Sequence, residues 1–340
     1  MPKGMTYAGA GVDIDRKSDS IAALVKNLAF RRKGLGEPMN LKGHFTGLID
    51  FGDLALSLCT DGVGTKLMVA NELQKWDTIG IDCVAMNVND TICVGAEPVA
   101  FVDYIAIDKP DSNITSQIGK GLEEGARMSN MTIVGGEIAV LPEIVIGIDL
   151  AGTCLGMVEK KRIVTGENIR PGDALIALGG TGVHSNGLTL ARKIVEANGL
   201  GMKSRVKGLR RSIGMELLEP TAIYVKQVLA LMEECEVRGM ANITGGGLRN
   251  LLRLKGGVGF EVSEPMEPNP VFGVLQELGD VTDREMYQTF NMGMGFALVV
   301  PEHKASEAVE RAGKGARVVG HAVEGGKVTV PSLGIEYVKY

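Results

Sequence analysis

Alternating apolar and polar positions mark strands in the first half of the chain. The segment DLALSL (53–58) alternates and runs into CTDGVGTK (59–66), which predicts a strand followed by a turn on two glycines. Apolar residues at helical spacing between 77 and 97 predict a helix, and VAFVDYIAI (99–107) alternates as a second strand. The other predicted elements of this half are a helix with Ile21, Leu24, Val25 and Leu28, a helix with Ile114, Ile118, Leu122 and Ala126, and strands at 132–137 and 144–158.

The same alternation of strands and helices resumes after a charged, turn-rich segment at 159–173. Pro220 suits the start of a helix that continues through Val225 and Leu231. The other predicted elements are strands at 174–180, 239–243, 295–300 and 317–323, with helices at 187–198 and 301–313. We therefore expect two mixed α/β domains of similar size, 1–165 and 166–340.

Composition and charge exclude several classes of protein. The 340 residues are 45% hydrophobic and 23% charged, with a net charge of -5, which argues against a nucleic-acid partner bound through bulk positive charge. The sequence contains no apolar run long enough to span a bilayer and no signal-peptide core, so we expect a cytoplasmic protein without a membrane partner. Five widely spaced cysteines exclude the usual zinc spacings and indicate reduced thiols.

Glycine clusters follow several of the predicted strands. Asp61 lies at such a strand end, beside Gly62 and Gly64, where a carboxylate can reach a hard cation such as Mg²⁺. Lys66 then offers a positive charge for a phosphate. Taken alone, D-G-x-G is also typical of an ordinary turn capped by aspartate, and no Walker A or G-x-G-x-x-G motif is present.

Two further acids extend this pattern in the first half. Asn87 and Asp90 share one face of a predicted helix whose other positions are apolar, so they need polar partners or a ligand. Glu137 follows the glycines Gly135 and Gly136 after another strand. Together with Asp61, these acids predict a magnesium–nucleotide site, although their separation along the chain does not prove that they meet.

The second half offers two glycine turns before helices. His184, Ser185 and Asn186 follow GGTGV, and Thr244 begins TGGG after the strand at 239–243. Amides and hydroxyl groups at a helix start can bind an anion, and histidine can also transfer a proton. The alternative is structural: a lone histidine is commonly a packing residue, and a glycine turn can simply pack against a neighbour.

Eight collinear segments resemble the phosphoribosylformylglycinamidine cyclo-ligase family, also called aminoimidazole ribonucleotide synthetases. They are YAGAGVDID, CTDGVGTKL, DTIGIDCVAMNVNDTICVGAEPVAFVDYIA, VGGEIAVLPE, ALGGTGVHSNGL, PTAIYVKQVL, ITGGGL and EMYQTFNMGMGF. The resemblance implies a homodimer of two-domain α/β subunits. The N-terminal domains would pair their sheets across the dimer, and the C-terminal domain would be a ferredoxin-like α/β sandwich. It also implies ATP-dependent closure of formylglycinamidine ribonucleotide to aminoimidazole ribonucleotide, with ADP and phosphate released.

The resemblance also implies roles for individual residues. Asp61, Asp90 and Glu137 would hold Mg²⁺, while His184 would transfer a proton and Lys66 would meet phosphate. The remaining ATP and phosphate contacts would be Gly9, Gly11, Asp13, Gly62, Gly64, Thr65, Asn87, Gly135 and Gly136. The substrate contacts would be Ser185, Asn186, Gly187, Thr244, Gly245, Gly246 and Gly247.

Several positions depart from the family pattern. Ile138 and Val140 replace a hydroxyl and a carboxylate of GGETAEMP, which leaves the metal role of Glu137 open. Asn242 stands where histidine is frequent, and Asn250 to Arg253 lacks the proline of N-x-P-R. Related ATP-using enzymes fit less well, because the first cysteine is Cys59 and the chain ends EYVKY. A nucleotide-binding regulator without turnover stays an alternative.

Overall fold

Two mixed sheets, one from each half of the chain, organise the part of the protein that the computed structural model describes, residues 4–41 and 43–340. The first sheet has the strand order β1-β2-β3-β6-β4-β5. Its strands are β1 (Pro38–Met39), β2 (Gly47–Phe51), β3 (Leu54–Gly62), β4 (Glu97–Ile107), β5 (Thr132–Val140) and β6 (Ile148–Glu159). The helices of this half are α1 (Ile14–Val25), α2 (Lys66–Leu73), α3 (Ile79–Ile92) and α4 (Ser112–Ser129).

Helix α3 packs so closely on α4 that the contact requires glycine. A Cβ atom on Gly80 would lie 2.1 Å from the backbone nitrogen of Leu122, and one on Gly125 would lie 2.8 Å from Cβ of Val84. Nearly every residue of α3 is buried, including Asp82, Asn87 and Asn89. The helix therefore has no water-facing side for its polar residues, which must bond to protein or to a ligand.

The second sheet has the strand order β13-β12-β9-β11-β7-β10-β8. Its strands are β7 (Ala174–Gly179), β8 (Gly239–Asn242), β9 (Val258–Glu261), β10 (Met294–Val300), β11 (Ala316–Glu324), β12 (Val328–Val330) and β13 (Ile335–Tyr337). The helices are α5 (Leu188–Ala197), α6 (Ile213–Leu217), α7 (Val225–Glu234), α8 (Pro270–Gly279), α9 (Asp283–Thr289) and α10 (Ala305–Ala312). A 3-10 segment, Gly247–Arg253, follows the glycine turn after β8.

The mixed α/β class predicted for both halves is confirmed, as are the strands and helices read from the apolar pattern. Several bounds are wrong. The helix expected to start at Pro220 begins at Val225, because residues 221–224 run as an irregular segment along α3. Leu28 lies beyond the end of α1, the helix predicted within 77–97 ends at Ile92, and the strand predicted at 144–158 begins at Ile148. The first sheet ends at Glu159 and the second starts at Ala174, so the boundary predicted at 165/166 falls between them. That boundary stays a prediction.

One apolar core runs through both halves, from Val88 of α3 to Val228 of α7. The face of the first sheet turned away from α3 is different, because it leaves apolar side chains exposed, among them Leu58, Val102 and Tyr104. The apolar residues Ile21 and Leu24 of α1 are exposed as well. None of the helices in the described part of the chain combines the length and the apolar character that crossing a membrane needs.

Candidate functional site

Two polar residues of α3 face the end of β3, where the first glycine turn begins. The Asn87 amide donates to the carbonyl oxygen of Asp61 at 3.2 Å and to that of Cys83 at 2.9 Å. Asp90, one turn further along, accepts from Nδ2 of Asn242 at 2.8 Å. Asn242 ends β8, so this hydrogen bond joins the two halves of the chain. The sequence prediction that Asp61, Asn87 and Asp90 lie close together agrees with this geometry.

The carboxyl groups at this point lie in an environment that disfavours their charged form. Burial raises the pKa of Asp90 to about 7, and the nearby charge of Asp61 adds to the rise. The hydrogen bond from Asn242 and the charge of Arg253 oppose it. Burial also raises the pKa of Asp61, against the nearby charge of Lys17. Two acids held this close without a cation are a destabilising arrangement that a bound cation would relieve.

A third acid, Asp103, lies in the same row across the sheet. The strand register places Asp61 opposite Gly152 and Gly152 opposite Asp103, so both acids project from the face that α3 covers. The Asp103 side chain contacts Gly136, because a Cβ atom on Gly136 would lie 2.5 Å from Oδ1 of Asp103. The Phe101 ring covers Gly152, which lies between the two acids, because a Cβ atom on Gly152 would lie 2.1 Å from Cζ of Phe101. The sequence analysis missed Asp103, although its position on the inward phase of an alternating strand was the available signal.

Glu137 does not join this group, and its predicted metal role is corrected. It lies in register with Tyr104, whereas its neighbour Gly136 lies in register with Asp103. Adjacent strand residues point to opposite faces, so Glu137 projects away from Asp61 and Asp90. Its carboxylate accepts from the backbone nitrogen of Ile138 at 3.0 Å and is exposed to solvent.

Lys66 is not a phosphate contact in this structure, because its ammonium is used in a buried ion pair. Nζ donates to Oδ1 of Asp82 at 2.8 Å and to the carbonyl oxygen of Glu219 at 2.6 Å. Both charged side chains of the pair are 0% exposed. The same Asp82 oxygen accepts from Thr221 N at 2.8 Å and Thr221 Oγ1 at 2.6 Å. The lysine therefore joins the halves of the protein instead of facing the cleft.

His184 is likewise corrected, from a proton-transfer group to a buried neutral ring. It is 4% exposed, and its Nε2 accepts from the backbone nitrogen of Thr181 at 3.2 Å. Burial, together with the charge of Lys66, lowers its pKa to about 3. Its φ of +61° is in the left-handed region, which is uncommon for a residue with a side chain and indicates a strained turn. The ring thus shapes the loop that presents Ser185 and Asn186.

The two glycine turns of the second half contact each other beside α3. The Asn186 amide contacts Sδ of Met86 in α3 at 3.8 Å, and a Cβ atom on Gly245 would lie 3.0 Å from Asn186 Oδ1. Ser185 Oγ donates to Asp82 at 3.2 Å, which ties its loop to the buried ion pair. Gly187 and Gly247 are required for packing, because a Cβ atom would approach Phe290 within 2.4 Å and the Tyr287 carbonyl within 2.0 Å. Thr244 accepts, through its carbonyl oxygen, from Gly247 N at 2.8 Å.

The N-terminal glycine arm packs against the second half of the chain, near the same region. Tyr7 N donates to Glu285 at 2.8 Å, and Gly11 has a φ of +102° with Nζ of Lys193 4.0 Å from its would-be Cβ. Asp13 caps α1 by accepting from Arg16 N at 3.1 Å. The charge of Lys17, in the first turns of α1, acts on Asp61. Lys17 therefore brings α1 near Asp61 and Asp13 serves as a helix cap, while the phosphate contacts of Gly9, Gly11 and Asp13 stay a prediction.

The turn after Asp61 has open space beside Gly64. Gly62 N donates to Asp61 Oδ1 at 2.8 Å, and a Cβ atom on Gly64 would meet nothing within 4 Å. Thr65 Oγ1 lies 3.0 Å from Oγ1 of Thr189 in α5, another polar link between the halves. Gly135 also has open space around its Cα.

Two family models match the chain in the order of its sheets. One, described as AIR synthase related protein, N-terminal domain, matches residues 43–158, and its C-terminal counterpart matches residues 170–331. A phosphoribosylformylglycinamidine cyclo-ligase from Methanococcoides burtonii is 51% identical over 325 residues, 95% of this chain and 96% of the relative. The chain belongs to the phosphoribosylformylglycinamidine cyclo-ligase family. The resemblance seen in the motifs is thereby confirmed.

Solved structures share the fold of this cyclo-ligase at low sequence identity. A structure of a HypE–HypF complex matches with a TM-score of 0.66 at 18% identity, covering 94% of this chain and 99% of that one. A structure of AaThiL complexed with AMPPCP and TMP also has a TM-score of 0.66 at 18% identity, with 93% of each chain covered. At this identity the likeness establishes the fold and nothing about the ligands of this cyclo-ligase.

Asn242 and Arg253 both act on Asp90, and sequence reasoning mentioned them only in describing departures from the family pattern. Asn242 holds Asp90, as described above. Arg253 donates to the carbonyl oxygens of Gly43 at 2.9 Å and His44 at 2.8 Å, and its charge acts on Asp90. Their position after β8, beside the predicted Thr244–Gly247 turn, was the signal that could have identified them.

Proposed function

We propose that this cyclo-ligase closes the imidazole ring of aminoimidazole ribonucleotide in the cleft between its two halves. ATP and Mg²⁺ would lie against Asp61, Asp90 and the glycine arm, and formylglycinamidine ribonucleotide would lie against the 184–187 and 244–247 turns. The observation that carries the proposal is that Asp61 and Asp90 lie close enough for their charges to interact, at the point where Asn242 joins the halves. AaThiL, which shares the fold, was solved in complex with AMPPCP, and this supports nucleotide use by the fold.

The residues around Asp61 fit a magnesium ion that takes few ligands from protein. In the described residues no three histidine, cysteine or acidic side chains cluster closely enough to hold a metal alone. Magnesium commonly keeps several waters and substrate phosphates with only one or two carboxylates. The Asn87 Oδ1 atom is buried without a hydrogen-bond partner among these residues, and the amide nitrogen of the same side chain donates to the main-chain oxygen of Asp61. Bound magnesium would neutralise phosphate charge, with Asp61 and Asp90 holding it.

The reaction needs a formyl oxygen converted into a leaving group. Transfer of the γ-phosphoryl group forms a bond from phosphorus to that oxygen and breaks the bond to ADP. The substrate nitrogen then attacks the formyl carbon, loses its proton, and the carbon–oxygen bond breaks to release phosphate. Because this attack is intramolecular, the protein mainly holds the substrate in the reacting conformation. We assign this role to Ser185, Asn186 and the backbone of the 244–247 turn.

Substitution of Asp61 tests the proposal most directly. Purified protein with Mg-ATP and the ribonucleotide should produce an aminoarylamine that diazo coupling detects, together with ADP. Asp61→Asn should reduce turnover roughly 100-fold or more, since the metal supplies several kcal/mol of charge stabilisation. Glu123→Gln is the matched control and should stay within about twofold, because Glu123 is an exposed acid of α4 that is not assigned to the site or to the proposed dimer face. Undiminished turnover in Asp61→Asn would remove the metal assignment.

We also propose that the enzyme is a homodimer that uses the exposed face of the first sheet. Leu58, Val102 and Tyr104 project from this face, which is the one turned away from α3. A contiguous exposed apolar sheet face is typical of a protein–protein interface. Analytical ultracentrifugation should show a dimer, and Tyr104→Glu should convert it to monomer; a monomeric wild-type protein would refute the assignment.

The cytoplasm is the proposed location of the enzyme. All five cysteines are buried and free, as expected for a protein kept in a reducing compartment. Fractionation of cells that produce the protein, with a thiol assay on the soluble fraction, tests this assignment.

A further inference from the structure

The main chain that follows β13 carries Tyr340 to the second glycine turn. Arg249, in the 3-10 segment after that turn, donates through Nε to the carbonyl oxygen of Lys339 at 3.1 Å. Its guanidinium carbon also lies 5.9 Å from the centre of the Tyr340 ring. The tyrosine side chain is 44% exposed, so the ring is fixed on one side and open on the other.

Contact with Tyr340 explains why residue 246 is glycine. The φ of Gly246 is -93°, which any residue can adopt, so the conformation does not require glycine. A Cβ atom there would lie 2.9 Å from Cε2 of Tyr340 and 3.1 Å from Nδ2 of Asn250. The ring therefore packs directly on the backbone of the turn whose neighbouring residue, Gly245, faces Asn186.

The same ring completes a stack around Arg253. The Arg253 guanidinium carbon lies 3.8 Å from the centre of the Phe45 ring and 5.1 Å from that of Tyr340. Phe45 belongs to the first half of the chain and Arg253 to the second, so the stack joins them at the cleft. Cation–π contacts of this kind fix the orientation of the guanidinium group.

We propose that Tyr340 is a positioning residue for the ribonucleotide side of the cleft. Its ring holds the 244–247 turn from outside and fixes Arg253, so the turn keeps the shape that meets the ribonucleotide. Tyr340 acts through the turn and does not touch the phosphates bound near Asp61. This inference rests on the proposed function, because it assigns the 244–247 turn to the ribonucleotide.

Steady-state kinetics of Tyr340→Ala tests the inference. We expect the KM for the ribonucleotide to rise about tenfold, the loss typical of one or two ring contacts. The KM for ATP should change less than about twofold, because the hydrogen bonds of Arg253 to Gly43 and His44 keep its charge near Asp90 without Tyr340. Tyr340→Phe should restore the wild-type KM, because the contacts described are made by the ring. Val338→Ala, a change in the same tail at a 68% exposed side chain, is the matched control and should have no effect.

A double-substitution cycle separates positioning from general destabilisation. Gly246→Ala should raise the ribonucleotide KM in the wild type, because the new methyl group displaces the ring. The same change should cost much less in Tyr340→Ala, where the ring is absent. The urea midpoints of all variants should stay close to that of the wild type, as expected for a partly exposed ring.

The outcomes distinguish this inference from the proposed function. A wild-type protein that forms no product refutes the proposed function, and the inference with it. If the wild type turns over and Tyr340→Ala keeps its ribonucleotide KM, the inference alone is overturned. Additive effects in the cycle, or equal increases in both KM values, overturn it as well.

Discussion

Replacement of Lys66 by methionine should unfold this enzyme more readily while leaving the nucleotide cleft intact. The ammonium of Lys66 and the carboxylate of Asp82 are 2.8 Å apart, and both are fully buried. Removing the lysine leaves a buried negative charge whose second oxygen, Oδ2, already has no hydrogen-bond partner among the described residues. The loss of one member of a buried pair costs about 3–5 kcal/mol, since the other charge stays desolvated.

A second substitution tests whether the cost comes from the stranded charge. Asp82→Asn in the Lys66→Met background removes that charge but keeps an oxygen for the bonds from Thr221. We therefore expect it to recover about 2 kcal/mol or more, whereas Asp82→Asn alone should destabilise the protein. Recovery should be incomplete, because the carbonyl oxygen of Glu219 still lacks its donor.

Equilibrium unfolding in urea measures these free energies. Trp76 is the one tryptophan in the sequence and is 1% exposed, so its fluorescence reports loss of the core around α3. Lys304→Met is the matched control, because the Lys304–Glu307 pair has both side chains 38% exposed, and exposed pairs contribute roughly 0–1 kcal/mol. A Lys66→Met protein of wild-type stability with a raised KM for ATP would refute the reasoning and restore the phosphate contact.

Three further predictions concern pH and packing. Because the pKa of Asp90 is about 7 and a metal binds the carboxylate form, the apparent KM for Mg²⁺ should fall as pH rises from about 6 to 8. Asn242→Leu removes a hydrogen bond that lowers this pKa, so metal titrations of that variant should show the transition at higher pH. The pKa of His184 is about 3 in the folded protein and 6.5 for the free group, so between these pH values the unfolded state binds a proton that the folded state does not. The contribution of this group to stability is therefore full above about pH 6.5 and is lost as pH falls toward 3. The urea midpoint of His184→Phe should lack that part of the pH dependence. Gly80→Ala should lower the melting temperature by several degrees, since its methyl group would lie 2.1 Å from the backbone of α4, whereas Gly119→Ala, with nothing within 4 Å, should raise it slightly.

The apolar pattern predicted the sheets well because burial decides which strand residues are apolar. In β3 the buried positions Ala55, Ser57 and Cys59 alternate with partly or fully exposed ones, and Asp61 continues the same phase at the strand end, where the cleft opens. The same pattern could not show that the opposite face, with Leu58, is exposed in the isolated chain. Apolar residues on that face are read as core whether the covering partner is a helix or another subunit.

The error at Glu137 has a local geometric cause that no periodicity reveals. Phe101 lies opposite Ile133, but Val102 lies opposite Gly135, so one extra residue, Val134, is inserted in β5. A one-residue insertion exchanges the faces of every later residue in the strand. Without it, Glu137 would project toward α3 together with Asp103. The placement of the acid thus depends on a bulge that the sequence does not reveal.

The error at Lys66 has a different cause, which is that its partners are remote in sequence. Lys66 pairs with Asp82, 16 residues away, and with Glu219, 153 residues away. A glycine turn followed by a cation is compatible with a phosphate or with a buried acid, and only the docking of the two halves decides between them. Asp61, Asn87 and Asp90 were easier, since a helix after a strand packs back on that strand's end.

Two asparagines of α3 show how the fold separates structural from ligand-binding polarity. Asn89 is satisfied on both sides, because its amide donates to Ala222 O at 2.8 Å and its Oδ1 accepts from Tyr224 N at 3.1 Å. Asn87, two residues earlier, uses its amide but leaves Oδ1 unpaired, among the described residues, beside Asp61. Unpaired buried oxygens and like charges cost stability, and α3 carries both costs beside Asp61. Among the described residues, Asp82 Oδ2 and Thr91 Oγ1 of the same helix also have no hydrogen-bond partner. Asn89 thus fixes α3 through its two hydrogen bonds, whereas Asn87 and Asp90 stay available for a cation.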